Sequence, residues 1–584
     1  MTHKPIIYQV FTRLYGNRNT TRKEWGSVEE NGTGKFSDFD SKTLKAIKQM
    51  GVSHIWYTGV IRHASQTDFS KFGIPTQHPS VVKGKAGSPY AICDYYDVDP
   101  DLADNVNDRM KEFEALISRT HKAGLKMFID FVPNHVARQY LSIAKPKGVV
   151  DLGADDDQNQ GFNPQNNFYY CPGQSLDLSS ILESADTYSD VINIGLPSLR
   201  ERAGGEAETS FSSYSEYPAK ATGNDHFDNR PGMNDWYETV KLNYGIDYWT
   251  HFGHFDPIPD TWKKMTEILL FWAAKGVDGF RCYMAEMVPA AFWAYATREV
   301  KAKYPEILFM GEVYNPAEYR NYIHSGFDWM YDKVGMYDTM RAVTCGYASA
   351  TAITGAWQSV DDIKEHMVYF LENHDEQRVA SDFFAGDAKK GIPAMVASVL
   401  MKSSPFMLYA AEEYGEKGMD KEGFSGRDGR TTIFDYWSID TLCRAASGEL
   451  TDDEKYIYQM HEKTMQIARK EKAVDGDFYD LMYVNPWSEH FDNNKQYAFL
   501  RKKEDEMLFV VVNFDDKDVD VQVRIAPHAM EFLQIPEGKY KSKDLLSAEK
   551  QTIELASDAL VPMTIKARSA RVWKFTLSPS PLFS

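Results

Sequence analysis

Several things are scarce in this chain of 584 residues, and each scarcity excludes a class of protein. Its five cysteines (Cys93, Cys171, Cys282, Cys345 and Cys443) are scattered, odd in number and without CxxC spacing, so they supply neither a disulfide framework nor a zinc site. Basic residues are outnumbered, 65 Lys and Arg against 84 Asp and Glu, for a net charge of −19. That balance disfavours nucleic acid and anionic membranes, which require a basic face. The longest nearly apolar run, Ile392–Met401, contains a proline and is too short to span a bilayer. No glycine-rich phosphate loop follows a strand, and there is no fixed-period repeat or low-complexity tract. The N-terminus reaches a strand-like run within five residues and shows no signal-peptide pattern, which predicts a soluble cytoplasmic protein. A processed secretory or periplasmic chain would present the same start.

What is abundant is aromatic: 34 Tyr, 33 Phe and 12 Trp. Most such rings fill cores, but some are suited to stacking on a flat, uncharged ligand such as a sugar. The length predicts more than one core. One local pattern recurs: an amphipathic helix ends at a glycine and a short buried strand follows. Phe39–Met50 precedes Val52–Tyr57, Asp108–Ala123 precedes Leu125–Val132, and Thr261–Lys275 precedes Val277–Arg281. Further strands are predicted at Ile6–Phe11, Ile307–Val313, Phe327–Met330, Met367–Glu372 and Phe406–Tyr409. Eight strands alternating with helices predict an α/β fold, a (β/α)8 TIM barrel over residues 1–135 and 250–478. A doubly wound open sheet is the competitor. Residues 136–249, rich in Asn, Gly, Ser and Tyr, predict an irregular insert after the third strand. From 479 to 584 short alternating strands predict a C-terminal antiparallel β-sandwich.

Polar clusters follow four of the predicted barrel strands: Asp130-Phe-Val-Pro-Asn134-His135, Asp278-Gly-Phe-Arg281-Cys-Tyr283, Gly311-Glu312-Val313 and Glu372-Asn373-His374-Asp375. Singly each is bland, since a strand-end Asp is more often a cap than a catalyst. Four at one end of one barrel are poorly explained as caps. With Tyr8–Arg13, Gly32–Phe36, Ile55–Gly59, Tyr90-x-x-x-Asp94-Tyr95 and Leu242-Asn243, they closely resemble the motifs of the α-amylase family of glycoside hydrolases, in the usual order.

The resemblance implies a retaining enzyme acting on α-glucans such as starch or maltooligosaccharides, with no cofactor required for the chemistry. It makes Glu312 the general acid/base and Asp375 the carboxylate that stabilises the oxocarbenium-like transition state. Arg281 would orient the nucleophile. His135 and His374 would hydrogen-bond the sugar at the −1 subsite, Tyr90 would stack beneath it, and Asp94 would join the same floor. A structural Ca2+ is implied by Asn134, and Asp155, Asp157 and Asn159 in the insert offer further hard oxygens, although the spacing is not that of an EF-hand.

One position departs. The family's nucleophilic aspartate stands two residues after the motif arginine, and here that residue is Tyr283. In one reading hydrolysis is lost, because a phenol with an ordinary pKa of about 10 is a poor anion and reaches too far. In a second the tyrosine is itself the nucleophile, as in sialidases, with Arg281 to lower its pKa and Glu286 one helical turn on; Glu286 or Asp278 could also be proposed as a substitute carboxylate. Asp278 is expected below the site and Glu286 beyond it. In a third the chain is a variant of an active enzyme that still binds glucan. The alternative class is a non-catalytic member that binds oligosaccharide or a protein partner.

Overall fold

The computed structural model describes residues 4–181, 214–418 and 422–577. Eight parallel strands close a barrel in chain order: β1 (Ile6–Phe11), β2 (His54–Thr58), β3 (Lys126–Phe131), β4 (Gly279–Cys282), β5 (Leu308–Gly311), β6 (Trp329–Tyr331), β7 (Met367–Phe370) and β8 (Phe406–Tyr409). β1 closes the ring by pairing with β8 (Ile6 opposite Phe406) and with β2 (Ile7 opposite His54). The open-sheet alternative is thereby excluded. Most strand residues are buried, because helices cover the outside and side chains fill the inside.

The glycine stops hold. Helix α1 (Ser41–Met50) is capped by the Asp40 carboxylate, which accepts from Thr43 N at 2.7 Å, and ends at Gly51 with φ of 113°. A β-carbon at Gly51 would also lie 3.0 Å from the Met465 backbone, so a side chain is excluded twice. Helices α2 (Arg109–Lys122) and α3 (Asp260–Lys275) lead into β3 and β4 in the same way. Predicted strands overrun where polar work begins: β7 stops at Phe370, leaving Glu372 free to bind Arg378.

Between β3 and β4 the chain leaves through His135–Ala137 and returns antiparallel to it through Thr239–Lys241, with His135 opposite Lys241. Part of this segment, and with it part of the predicted insert, lies outside the described residues. After the barrel come β9 (Asp477–Asp480), β10 (Gln496–Lys503), β11 (Glu506–Asn513), β12 (Val519–Arg524), β13 (Gly538–Asp544), β14 (Lys550–Leu555), β15 (Leu560–Ile565) and β16 (Ser569–Thr576). They form a six-stranded sheet, β9-β10-β11-β16-β13-β14, and a β12-β15 pair. The apolar run seen in the sequence is helix α4 (Ile392–Leu400), buried at every residue and packed on β11 and β16. It is apolar all round because protein covers all its faces. Arg501 seals this junction, donating to the carbonyls of Met401, Val474 and Gly476. Among the described residues no helix is long and apolar enough to cross a membrane.

Candidate active site

A cleft of about 530 Å³ opens at the C-terminal ends of the barrel strands. It is lined by Tyr90, His135, Tyr283, Glu312, His374 and Asp375, six of the residues singled out in the sequence. Arg281 lies directly beneath, fully buried, with its guanidinium 5.3 Å from the Tyr283 ring centroid.

The strands aim these side chains. Asp130 is the penultimate residue of β3; its Oδ2 accepts from Gly59 N at 3.2 Å and its Oδ1 is 3.7 Å from Arg281 Nη1. Burial pushes the Asp130 carboxyl up to about 6, although Arg281 and His374 pull it down. β4 carries Arg281, and the chain then turns through Met284 in the left-handed region (φ 42°, ψ 47°), a conformation that costs a non-glycine residue about 1–3 kcal/mol. The turn has a use: Met284 N donates to Glu312 Oε2 at 2.7 Å. Glu312 also meets Arg281 Nη2 at 2.9 Å and accepts from the Tyr314 hydroxyl at 2.7 Å. Glu312 is therefore held on both oxygens.

On the opposite wall, His374 Nε2 faces the Tyr90 hydroxyl and lies 3.0 Å from Asp375 Oδ2, while Nδ1 contacts Gln9 Nε2 at 2.7 Å. For Asp375 burial acts upward, but the charge and hydrogen bond of His374, then Arg281 and Arg430, prevail and hold the carboxyl down at about 2. His135 is buried, with Nδ1 at 3.1 Å from Asn134 Nδ2, and burial lowers its pKa to about 3, so it is neutral.

Tyr283 stacks on Tyr90, centroids 4.1 Å apart and planes at 15°. His135 meets the same ring edge-on at 5.6 Å. Burial first, then Asp375 and Glu312, push the Tyr283 phenol well above its ordinary value, and Arg281 only partly opposes this. A tyrosinate is thus disfavoured at neutral pH. Arg281 shows the counterpart. Its Nε donates to the Tyr331 hydroxyl at 3.3 Å, but Nη1 and Nη2 have no well-aligned acceptor, the Glu312 contact being ionic rather than directed.

Other expected positions fall elsewhere. Asp94 does not line the cleft: it is buried, accepting from Ser142 Oγ (2.5 Å), Tyr96 N (2.9 Å), Ile143 N (2.8 Å) and Ala144 N (3.0 Å), which ties the loop after His135–Ala137 to the strand Ile92–Val98. Asp278 lies at the start of β4, where its Oδ2 accepts from Met127 N at 2.7 Å and contacts His121 Nε2 at 2.7 Å, below the site as expected. Glu286 lies beyond it, accepting from Asn315 N at 3.0 Å. Asn134 does not fit a calcium site, because its Oδ1 already accepts from the Lys241 ammonium. Asp157 is engaged by Asn159 and Gln160, and Asp156, not Asp155, turns inward to Asn167 N and Phe168 N. Among the described residues no cluster of three or more His, Cys, Asp or Glu side chains is arranged to hold a metal.

Sequence reasoning missed Trp236, Glu238 and Tyr314, and the loop Phe424–Phe434 that forms the wall after β8. Tyr314, two residues beyond Glu312, had a local signal; the others are brought in by long connections.

Residues 17–166 and 258–472 match the family profile described as alpha amylase, catalytic domain, and residues 487–576 match the alpha amylase C-terminal all-beta domain. The chain belongs to the α-amylase family. Alpha-amylase 3 of Dictyoglomus thermophilum is 23% identical over 451 residues, 73% of this chain and 74% of that one. The alpha-amylase of Streptomyces lividans is 24% identical over 623 residues, of which this chain spans 58% of the relative's length. The noncanonic maltogenic alpha-amylase AmyB of Thermotoga neapolitana superposes with a TM-score of 0.60 at 17% identity, covering 98% of this chain and 99% of that one. This likeness is one of fold.

Proposed function

We propose that the chain binds α-glucan in this cleft and that its hydrolytic step is blocked at position 283. The observation that carries the proposal is the stack of Tyr283 on Tyr90: the ring lies on the platform a sugar would use, and its neighbours are those that would grip the sugar. Glu312 is the general acid/base, delivering a proton to the glycosidic oxygen as the C1–O bond breaks. Asp375 stays ionised and holds hydroxyls near the developing oxocarbenium. His135 and His374 add hydrogen bonds at the same subsite. Retention needs a second carboxylate about 5–5.5 Å from the acid/base to take C1 covalently. Arg281 supports the reading as the group that would hold such a carboxylate, because its Nη1 and Nη2 make no aligned hydrogen bond, although Nη2 lies 2.9 Å from Glu312. The same reading divides the chain into a barrel (1–135 and 250–478), an insert (136–249) and a C-terminal unit (479–584).

The test is hydrolysis of soluble starch, pullulan and maltooligosaccharides by this chain and by Tyr283→Asp. Negligible turnover by the first and robust turnover by the second are expected. Robust hydrolysis by the chain itself, abolished by Tyr283→Phe, would establish a tyrosyl nucleophile instead. Inactivity of both would favour the non-catalytic alternative.

A further inference from the structure

Lys241 does not line the cleft, yet it is only 1% exposed. An ammonium so deep requires oxygen partners, since an uncompensated buried charge costs several kcal/mol. It has three. It donates to Asn134 Oδ1 and to the Met287 carbonyl at 3.2 Å, and it pairs with Asp225 Oδ1 at 2.7 Å. The Tyr248 ring lies 5.6 Å away. The three oxygens come from three separate places: the loop immediately after β3, the turn after β4, and the later part of the connection between β3 and β4. An amide, a main-chain carbonyl and a carboxylate converging on one point form the oxygen set a hard divalent cation would select. Here one side-chain cation fills it.

We propose that Lys241 is a built-in cation that joins the β3–β4 connection to the barrel in place of a divalent metal, and so positions the cleft wall. The linkage is short. Asn134, whose oxygen the ammonium holds, donates through Nδ2 to Gly223 O at 2.7 Å and touches His135 Nδ1 at 3.1 Å. His135 stands opposite Lys241 in the strand pair and faces both Tyr283 and Trp236, ring centroids 5.6 and 5.3 Å away. Loss of the ammonium would leave the Asp225 carboxylate and two polar oxygens directed at one another. Asn134 would lose the partner of its oxygen and keep only the Nδ2 bond to Gly223, so the adjoining His135 ring would be held less firmly. Lys241 is therefore a positioning residue, acting through Asn134.

The test uses the full chain. Its melting temperature is expected to be the same in EDTA and in millimolar CaCl2, and Lys241→Met is expected to melt about 5–10 °C lower. A melting temperature that falls in EDTA, or a Lys241→Met variant that melts with the parent, would overturn the proposal. If Lys241→Met does not fold, the EDTA comparison on the parent still decides. Positioning is read separately, and this arm rests on the α-glucan reading. In a Tyr283→Ala background, adding Lys241→Met is expected to weaken maltooligosaccharide binding about tenfold at a temperature where both variants are folded. Unchanged affinity would overturn the positioning role while leaving the cation role to the thermal result. Absence of binding by Tyr283→Ala itself would instead count against the α-glucan reading.

Discussion

Two buried arginines stand at the same end of the same barrel, and they differ in one respect. Arg378, after β7, donates Nη1 to Glu372 Oε2 at 2.9 Å, Nη2 to Ala410 O at 3.1 Å and Nε to Thr431 Oγ1 at 2.8 Å, over the face of Tyr409 at 3.9 Å. Every nitrogen has an aligned acceptor and the charge has a carboxylate. Arg281, on β4, has four rings within 5.6 Å of its guanidinium carbon (Trp56, Tyr90, Tyr283 and Tyr331) but no aligned acceptor on either terminal nitrogen. Rings contribute about 0.5–2 kcal/mol each toward a buried cation but do not replace hydrogen-bond acceptors. The contrast separates an arginine whose every nitrogen is bound in line from one that faces Glu312 at 2.9 Å and Asp130 at 3.7 Å without an aligned bond from its terminal nitrogens.

The largest effect should come from placing a carboxylate at position 283. Tyr283→Asp is expected to raise kcat/KM on maltooligosaccharides by at least about 10³-fold, because it provides the nucleophile and clears the sugar's place together. No comparable gain is expected from any change at Arg378. Next in size is stability. Arg378→Leu strands Glu372 and should cost about 3–5 kcal/mol in denaturant unfolding. Arg281→Leu should cost about 1–3 kcal/mol less than that, since its terminal nitrogens make no aligned hydrogen bond and Glu312 keeps its bonds from Met284 N and the Tyr314 hydroxyl. An equal cost at both sites would erase the distinction drawn between them. Smaller again, Tyr283→Ala uncovers the Tyr90 face without adding a nucleophile. Calorimetry should show maltooligosaccharide affinity rising about tenfold with no turnover.

The smallest prediction concerns acid. The Asp375 carboxyl sits at about 2, below its ordinary value of about 3.9, so folding favours its ionised form. Its contribution is fully present above pH ~4 and is lost as pH falls toward about 2. The stability difference between the chain and Asp375→Asn should therefore shrink over that window. A difference that grows on acidification would contradict the assignment.

Much of this was legible in the sequence, for identifiable reasons. β1 and β8 fall on the expected residues because short buried strands bounded by turns are local signals. Arg281, Glu312, His374 and Asp375 converge because a barrel gathers all its strand ends on one face. Position 283 was visible as a wrong residue type, but its stacking on Tyr90 was not, since the two are far apart in the chain. The family motif puts Asp94 in the sugar floor; its carboxylate instead binds the loop at Ser142–Ala144, a long-range choice no motif encodes. Likewise the resemblance implies a metal ligand at Asn134, and Lys241, more than a hundred residues on, takes its oxygen. Motifs report strand ends well and report poorly what distant segments bring to them.

The most direct test of the central claim, that position 283 is the missing covalent link in an otherwise assembled site, is trapping. The chain and its Tyr283→Asp variant would each be incubated with a fluorinated α-glucosyl fluoride that accumulates a glycosyl-enzyme, then read by intact-protein and peptide mass spectrometry. The account predicts one sugar attached at position 283 in the variant and none on the parent. A glycosylated Tyr283 in the parent, or a variant that labels elsewhere, would contradict it.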